Sequence, residues 1–294
     1  MRRSERSLRP ERGDLPEDVW AAWLDRVVEE TASLDRRLRI LRSQMRDRVL
    51  HKAGLARGHK VVDLGCGLGF ITLEAARLVG EEGRVWGVDS SAGALRILRS
   101  RAEKLGLSNV HPLQADAASL PLTEEVDAVV GRSVLSYVPD RKAVLAEARR
   151  VLRPGGRLSL FEPVLSEEEL IMDWGEEEAA WKRHLLVLKL HHPAYGFGRR
   201  DLPAEAEEVG FEGVDCFLWH ADITRAFEGK KEVMEDFATS LPGDLSLARV
   251  WEKHGVPREE TERVAARIAA ESLRPSFRNL LPCLYLWARK PQTR

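Results

Sequence analysis

Cysteine is scarce in this sequence. Its 294 residues hold three, widely spaced and with no C-x-x-C pair. That pattern excludes a disulfide framework and fits a reducing cytoplasm. Long apolar runs are also missing, and none approaches the roughly 20 residues a membrane-spanning helix needs. No sign of charge dominates: 46 Lys plus Arg stand against 47 Asp plus Glu, a net charge of −1. No global field therefore favours nucleic acid or a membrane surface. Arg2, Arg3, Arg6, Arg9 and Arg12 crowd the amino terminus, but no apolar segment follows them directly. They read as a disordered basic tail over residues 1–14 rather than a signal peptide. The remaining composition, 44% hydrophobic and 32% charged, is that of a globular chain with length for one large domain or two small ones.

One stretch organises the rest: Val61-Val62-Asp63-Leu64-Gly65-Cys66-Gly67-Leu68-Gly69-Phe70. It reads as a short buried strand over Lys60 to Leu64, a glycine turn, and a helix over Ile71 to Leu78. Glycines let the backbone take positive φ and let a ligand approach without meeting a Cβ. Such a turn at the carboxyl end of a parallel strand is where open α/β sheets bind nucleotides. Here Gly65, Gly67 and Gly69 are spaced G-x-G-x-G, with Asp63 two residues ahead. The dinucleotide fingerprint is instead G-x-G-x-x-G and cradles a pyrophosphate, which a neighbouring carboxylate would repel. Asp63 suits a ligand with a positive centre, such as the ammonium and sulfonium of S-adenosylmethionine. A second strand, Arg84 to Val88, ends in Asp89, 20 residues past Gly69, where a doubly wound fold places its ribose-binding carboxylate.

Ahead of this stretch, residues 15–53 read as N-terminal helices. Pro16 is acceptable in a first turn, and Val19, Trp20, Trp23, Val27 and Val28 recur at helical spacing. Ser33 or Asp35 suits the cap of a second helix, whose polar face carries Arg36, Arg37, Arg39, Arg42, Arg46 and Arg48. An anionic substrate could meet that face, although charge runs usually face solvent. After the second strand the chain alternates helix and strand, the signature of a parallel sheet. Helices are expected over Ala94 to Leu105 and Arg141 to Leu152. Strands are expected over Val110 to Gln114, Asp127 to Gly131 and Arg157 to Phe161.

Five segments in this order resemble class I S-adenosylmethionine-dependent methyltransferases of the small-molecule type that includes ubiquinone/menaquinone-biosynthesis enzymes. They are VVDLGCGLG at 61–69, GRVWGVDSS at 83–91, QADAASLPL at 114–122, VDAVVGRSVLSYVPD at 126–140 and LRPGGRLSLFEP at 152–163. The resemblance implies a Rossmann-like doubly wound α/β fold with a seven-stranded sheet whose last strand is antiparallel, and a cofactor-binding core over residues 54–163. It places Asp63, Gly65, Cys66, Gly67 and Gly69 beside the methionine part of the cofactor. Asp89 would accept from the ribose hydroxyls, with Ser90 beside the adenine. Asp116 would accept from the adenine amino group, with Ala117 nearby. Arg132 and Ser133 would open the loop that lines the methyl-transfer site.

Residues 164–294 would complete the sheet, with a helix over Leu202 to Val209 and strands over Val214 to Trp219 and Cys283 to Ala288. Two insertions, about 166–195 and 221–282, are too long for structureless loops. Both show helical apolar spacing, including Leu170, Ile171, Trp174, Trp181, Leu185, Leu188, Val233, Phe237, Val264 and Ile268. They read as helical caps forming a lid over the carboxyl edge of the sheet, with the acidic run Glu167 to Glu178 as a solvated face. Histidine is the natural base for a hydroxyl nucleophile. His184, His191, His192 and His220 lie in or beside the caps, and His220, followed by Asp222, is the first choice as a catalytic residue. Tyr137 is the second, placed after strand four to touch substrate. The expected partner is a small organic methyl acceptor, with S-adenosyl-L-methionine as cofactor, no nucleic acid, no membrane span and no resident metal. The alternatives are a non-catalytic binding protein, a protein or RNA methyltransferase, and an arsenite methyltransferase using Cys66, Cys216 and Cys283. For the last of these, no ligand-like spacing is present, and Cys216 and Cys283 read as strand fillers.

Overall fold

The computed structural model describes residues 18, 20–24, 36–224, 233–239, 241 and 243–292. The expected tail at 1–14, Pro16, Val19, Val27, Val28 and the expected caps Ser33 and Asp35 lie outside these residues. After a short helical piece at 20–24, the elements run α1 (Arg36–Ala53), β1 (Lys60–Leu64), α2 (Thr72–Val79), β2 (Arg84–Asp89), α3 (Ala92–Lys104), β3 (Val110–Gln114) and β4 (Val126–Arg132). Next come α4 (Arg141–Val151), β5 (Leu152–Pro163), β6 (Glu169–Ile171), α5 (Glu178–His191), α6 (Asp201–Glu208) and β7 (Glu212–Asp222). The chain closes with α7 (Val233–Thr239), α8 (Leu247–Lys253), α9 (Arg258–Glu271) and β8 (Arg278–Arg289).

The sheet is doubly wound. Strands β3, β2, β1, β4 and β5 lie side by side and parallel. β8 runs antiparallel to β5, and β7 pairs with the other side of β8. All seven expected strands are therefore present, with β8 between β5 and β7. An eighth strand, β6, lies within the first insertion and pairs with Arg278 to Leu280 at the start of β8. Chain order reverses between β1 and β4, which opens a crevice at their carboxyl ends.

Val61 and Val62 point to opposite faces of β1, and both are buried. This is what a parallel strand covered on two sides requires. On one face Val61 and Val85 pack with Val49 and Leu50 of α1, Ala75 of α2 and Leu98 of α3. On the other, Val62, Leu158 and Leu160 pack with Leu145 of α4 and Leu202 of α6. A third apolar cluster is built from the insertions, with Leu188, Phe237, Trp251, Val264 and Ile268 at its centre. The helical reading of the insertions thus holds among the described residues except at Leu170 and Ile171, which lie in β6 because they pair with the start of β8, and the apolar side chains of the helices are buried mainly against one another. The acidic run departs from a purely solvated face at several points, Glu177 pairing with Arg263 at 3.3 Å and Asp173 with Arg267 at 3.2 Å among them. Glu167 pairs with Arg199 at 2.6 Å, and Glu168 accepts from Asn279 Nδ2 at 2.9 Å in a setting whose burial raises its pKa.

Helix caps tie the amino-terminal piece to the core. Ser91 caps α3, its Oγ accepting from Ala94 N at 3.0 Å. The same hydroxyl donates to Asp18 at 2.7 Å, and Gly93 N donates to that carboxylate at 2.8 Å. Asp18 thereby satisfies an otherwise unpaired amide in the first turn of α3. This anchor holds Trp20, Trp23 and Leu24 over the crevice.

Candidate functional site

The crevice is a cavity of 820 Å³ at the carboxyl ends of β1, β2 and β4. Its floor is the glycine turn. Gly65, Gly67 and Gly69 have φ of 59°, 50° and 89°, the left-handed region that side chains avoid. A Cβ on Gly65 would lie 2.7 Å from Val134 Cγ2, and one on Gly69 would lie 2.4 Å from Leu98 Cδ1. Packing as well as φ therefore requires glycine at both. Cys66 N donates to Val88 O at 2.9 Å, which ties the turn to β2.

Three carboxylates line this space, those of Asp63, Asp89 and Asp116. Asp89 ends β2, and both of its oxygens organise backbone: Gly67 N donates to Oδ2 at 2.8 Å and Ser91 N to Oδ1 at 2.9 Å. Burial pushes its pKa up against these hydrogen bonds. Asp116 follows β3, with Oδ1 accepting from Ala118 N at 2.8 Å. Ser90, Ala115 and Ala117 fill the wall between those two acids.

Asp63 is only 1% exposed and accepts from Thr72 Oγ1 at 2.6 Å. Burial, the largest influence, raises its pKa to about 7, with the Thr72 hydrogen bonds pulling the other way. Because the folded value lies above the ordinary 3.8, the stability tied to the neutral acid is fully present below that value. It is lost as pH rises through about 7. The ligand-free wild type should therefore lose melting temperature between about pH 4 and 7 relative to Asp63→Asn. Superimposable pH profiles for the two proteins would show that burial does not perturb this group.

The third wall is the segment after β4. Ser133 sits at φ 53°, the one non-glycine residue with positive φ among the described residues. It is held there by its N–H donating to Phe161 O at 2.8 Å. Left-handed backbone at a side-chain-bearing residue is strained, and such strain persists where the surroundings impose it. Here they do so through Glu162. Its buried carboxylate accepts from Val134 N at 2.9 Å, Leu135 N at 3.0 Å, Ser136 N at 3.3 Å and Ser136 Oγ at 2.9 Å. Arg132, Ser133, Val134 and Tyr137 consequently face the cavity as one fixed arc. Burial pushes the Tyr137 hydroxyl to about 12, so it is a protonated phenol at neutral pH. Trp20 packs edge-on to Tyr137 with ring centroids 5.6 Å apart, and Trp23 packs edge-on to Trp20 at 5.9 Å.

The structure thus brings together Asp63, Gly65, Cys66, Gly67, Asp89, Ser90, Asp116, Ala117, Arg132, Ser133 and Tyr137 around one cavity, with Gly69 behind its floor. It does not bring His220 there. His220 is an exposed residue of β7, in register with Pro282. The other candidate histidines serve the insertions. His184 bonds Ala180 O at 2.7 Å and Thr261 Oγ1 at 3.0 Å. His192 bonds Leu245 O at 2.9 Å, and His191 stacks on His254 at 3.7 Å. Cys216 is exposed on β7, not a buried filler, whereas Cys66 and Cys283 are buried. Cys216 is in register with Leu286, three residues along β8 from Cys283, so the three thiols do not converge. Among the described residues no group of three or more His, Cys, Asp and Glu is arranged to hold a metal, and no helix is long and apolar enough to cross a membrane.

Sequence reasoning missed Asp18, Thr72, Glu162 and Leu24 as parts of the site, and it left the face carrying Arg42 between solvent, the favoured reading, and an anionic substrate. Arg42 and Ser43 of α1 line the cavity. The sequence signal for Arg42 was its spacing of three and seven residues from Met45 and Val49, which puts it on the helix face of those apolar residues, but arginines on several other sides obscured it.

A family model described as "Methyltransferase domain" matches residues 55–231. The ubiquinone/menaquinone biosynthesis C-methyltransferase UbiE of Pasteurella multocida is 39% identical over 196 residues, covering 61% of this chain and 72% of that protein. An uncharacterised 37.1 kDa protein in a transposon of Streptomyces fradiae is 37% identical over 157 residues. That match covers 52% of this chain and only 44% of the relative's length. Among solved structures, the YcgJ protein of Bacillus subtilis aligns with a TM-score of 0.56 at 16% identity, covering 85% of this chain and all of that one. At that identity the likeness is one of fold.

Proposed function

The chain belongs to the class I S-adenosylmethionine-dependent methyltransferases, and from that premise we propose that it transfers a methyl group to a small organic acceptor held in the 820 Å³ cavity. The observation that carries this reading is Asp89, a carboxylate at the end of β2 that orders the glycine turn and faces the cavity. The cofactor is S-adenosyl-L-methionine, released as S-adenosyl-L-homocysteine. The residues present suit it. The positive-φ turn leaves backbone open to close approach, and three carboxylates offer acceptors for a diol, an amine and an ammonium.

When bound, S-adenosylmethionine supplies a methyl group activated on a sulfonium. The chain supplies position and dryness. Asp89 would accept from the ribose hydroxyls, with Ser90, Asp116 and Ala117 on the adenine side. Asp63 and the Gly65–Gly69 turn would border the methionine part, and Arg132 and Ser133 would face the transferring group. Tyr137, protonated at neutral pH, is suited to orient an acceptor by a hydrogen bond and not to remove its proton. Trp20 and Trp23 roof the space, excluding water from the reacting centre. The volume lies within the roughly 300–1,000 Å³ usual for small-molecule sites.

The domain reading is proposed alongside this placement, although none of the described residues lining the cavity belongs to the insertions. Residues 54–163 carry the cofactor site, and the insertion helices form a lid on the acceptor side. Tyr137 supports the lid, since it lines the cavity and also packs on the insertion cluster. Trp174 and Trp181 stack on one another at 5.1 Å within that cluster and so would act through the lid's packing.

Calorimetry with S-adenosylmethionine and with NAD tests the cofactor. Binding of the first, with a melting temperature that rises with its concentration, is the expected result. Binding of NAD alone would refute it. Release of S-adenosylhomocysteine upon addition of candidate acceptors separates an enzyme from a non-catalytic binding protein.

A further inference from the structure

Three guanidinium groups surround the ring of Phe70, those of Arg42, Arg46 and Arg132, with carbons 5.2, 5.6 and 5.4 Å from its centroid. Arg46 is neutralised by Asp47 at 2.8 Å and approached by Glu74 at 3.8 Å. Arg42 and Arg132 have no carboxylate of the described residues at ion-pair distance, although the charges of Glu162 and Asp63 favour the Arg132 cation from farther off. Among the described residues neither makes an ion pair or a hydrogen bond, and the Nε of each is buried without a partner. Both line the cavity. They come from different elements, α1 and the end of β4, so no single local pattern explains the pairing.

Burying one unpaired guanidinium costs several kcal/mol, and placing a second beside it adds repulsion. The surroundings reflect this, since desolvation and the neighbouring Arg132 together hold Arg42 down at about 10. Phe70 offsets part of the cost through its ring face, but it supplies no hydrogen-bond acceptor. A pair of forks without acceptors fits a ligand that brings them.

Counting acceptors decides which ligand. The amino-acid end of S-adenosylmethionine carries one carboxylate, one ammonium and a sulfonium. One carboxylate occupies one bidentate fork, and Asp63 faces the ammonium. The second fork would remain without a hydrogen-bond acceptor in a water-excluded space. We infer that Arg42 and Arg132 form a two-guanidinium clamp for an oxyanion carried by the methyl acceptor, such as a carboxylate or phosphate. This inference rests on the methyltransferase reading of the cavity. It narrows the acceptor from small organic molecules to anionic ones, drawn by the clamp and turned toward the activated methyl group.

The test uses the full chain saturated with S-adenosylhomocysteine and titrates benzoate and phenyl phosphate as anion probes. The wild type is expected to bind at least one. Arg42→Gln should weaken that binding about 10- to 100-fold, the scale of hydrogen bonds to charged groups. Arg42→Lys should fall between, keeping the charge without the fork. Affinity for S-adenosylhomocysteine should stay within about threefold of wild type in both variants, a change below 1 kcal/mol.

Failure of the wild-type complex to bind either probe would overturn the clamp. So would a tenfold loss of S-adenosylhomocysteine affinity in Arg42→Gln with binding of 5′-methylthioadenosine, which lacks the carboxylate, unchanged. That result would assign Arg42 to the cofactor carboxylate and break up the clamp. If the wild type binds no S-adenosylhomocysteine at all, the methyltransferase reading itself falls, and the acceptor assignment falls with it.

Discussion

Asp89→Ala is expected to weaken binding of S-adenosylmethionine by about 10- to 150-fold, which corresponds to roughly 1.5–3 kcal/mol for hydrogen bonds to a charged group. The effect has two sources. On the ligand side, a carboxylate has lone pairs to spare for two hydroxyls after accepting one backbone donor on each oxygen. On the protein side, its removal orphans Gly67 N and Ser91 N, so the glycine turn and the start of α3 lose their common anchor. Asp89→Asn should cost less, because one acceptor oxygen remains. Its NH₂ group would nonetheless oppose one of those two amide donors, so it should not restore wild-type affinity. Calorimetric affinity alongside the melting temperature of the free proteins separates the two sources. Unchanged affinity in Asp89→Ala would place the ribose elsewhere.

The core was legible because its physics is local. Parallel strands covered on both faces read as short continuous apolar runs, and Val61-Val62, Val85 and Val129-Val130 are such runs. Each is punctuated by a glycine or an acid where the chain leaves the sheet, so Asp63, Asp89 and Asp116 could be assigned to one edge before any coordinates.

What the sequence concealed depends on distant partners or on direction. β6 is three residues long and is defined by Arg278 to Leu280 of β8, far along the chain. Arg42 sits on a helix with arginines around much of its circumference, which obscured its spacing from Met45 and Val49 until the packing of α1 on the sheet showed which of them turns inward. His220 looked favourable because it precedes Asp222 at a strand end. The edge position of β7, paired on one side with β8, leaves it exposed instead. Cys216 is exposed for the same reason. The anchoring of residues 18–24 through Asp18 was invisible because capping partners far apart in sequence leave no motif.

Glu162→Ala is expected to destabilise the protein by about 3–5 kcal/mol, the scale for breaking a buried hydrogen-bonded charge arrangement by removing one partner. Glu162 reads in sequence as no more than the residue that ends strand five. In the fold its carboxylate is the shared acceptor for three consecutive amides and the Ser136 hydroxyl. Those donors belong to the first turn after Ser133, which is itself held at φ 53°. Alanine would leave three N–H groups without an acceptor in a site that water reaches poorly, at about 1–3 kcal/mol for each group that finds no substitute. Relaxation of the loop toward water should recover part of that cost and carry Arg132 and Tyr137 away from the cavity. Glu162→Gln keeps one acceptor oxygen and most of the volume, so it should cost less, about 1–3 kcal/mol. Denaturant unfolding gives the stability of each variant, and methyl-transfer rate under conditions where each stays folded gives the second readout. The expected order is wild type above Gln above Ala in both. If Glu162→Gln unfolds like alanine but turns over like wild type while folded, Glu162 supports the fold and has no part in shaping the arc from Arg132 to Tyr137.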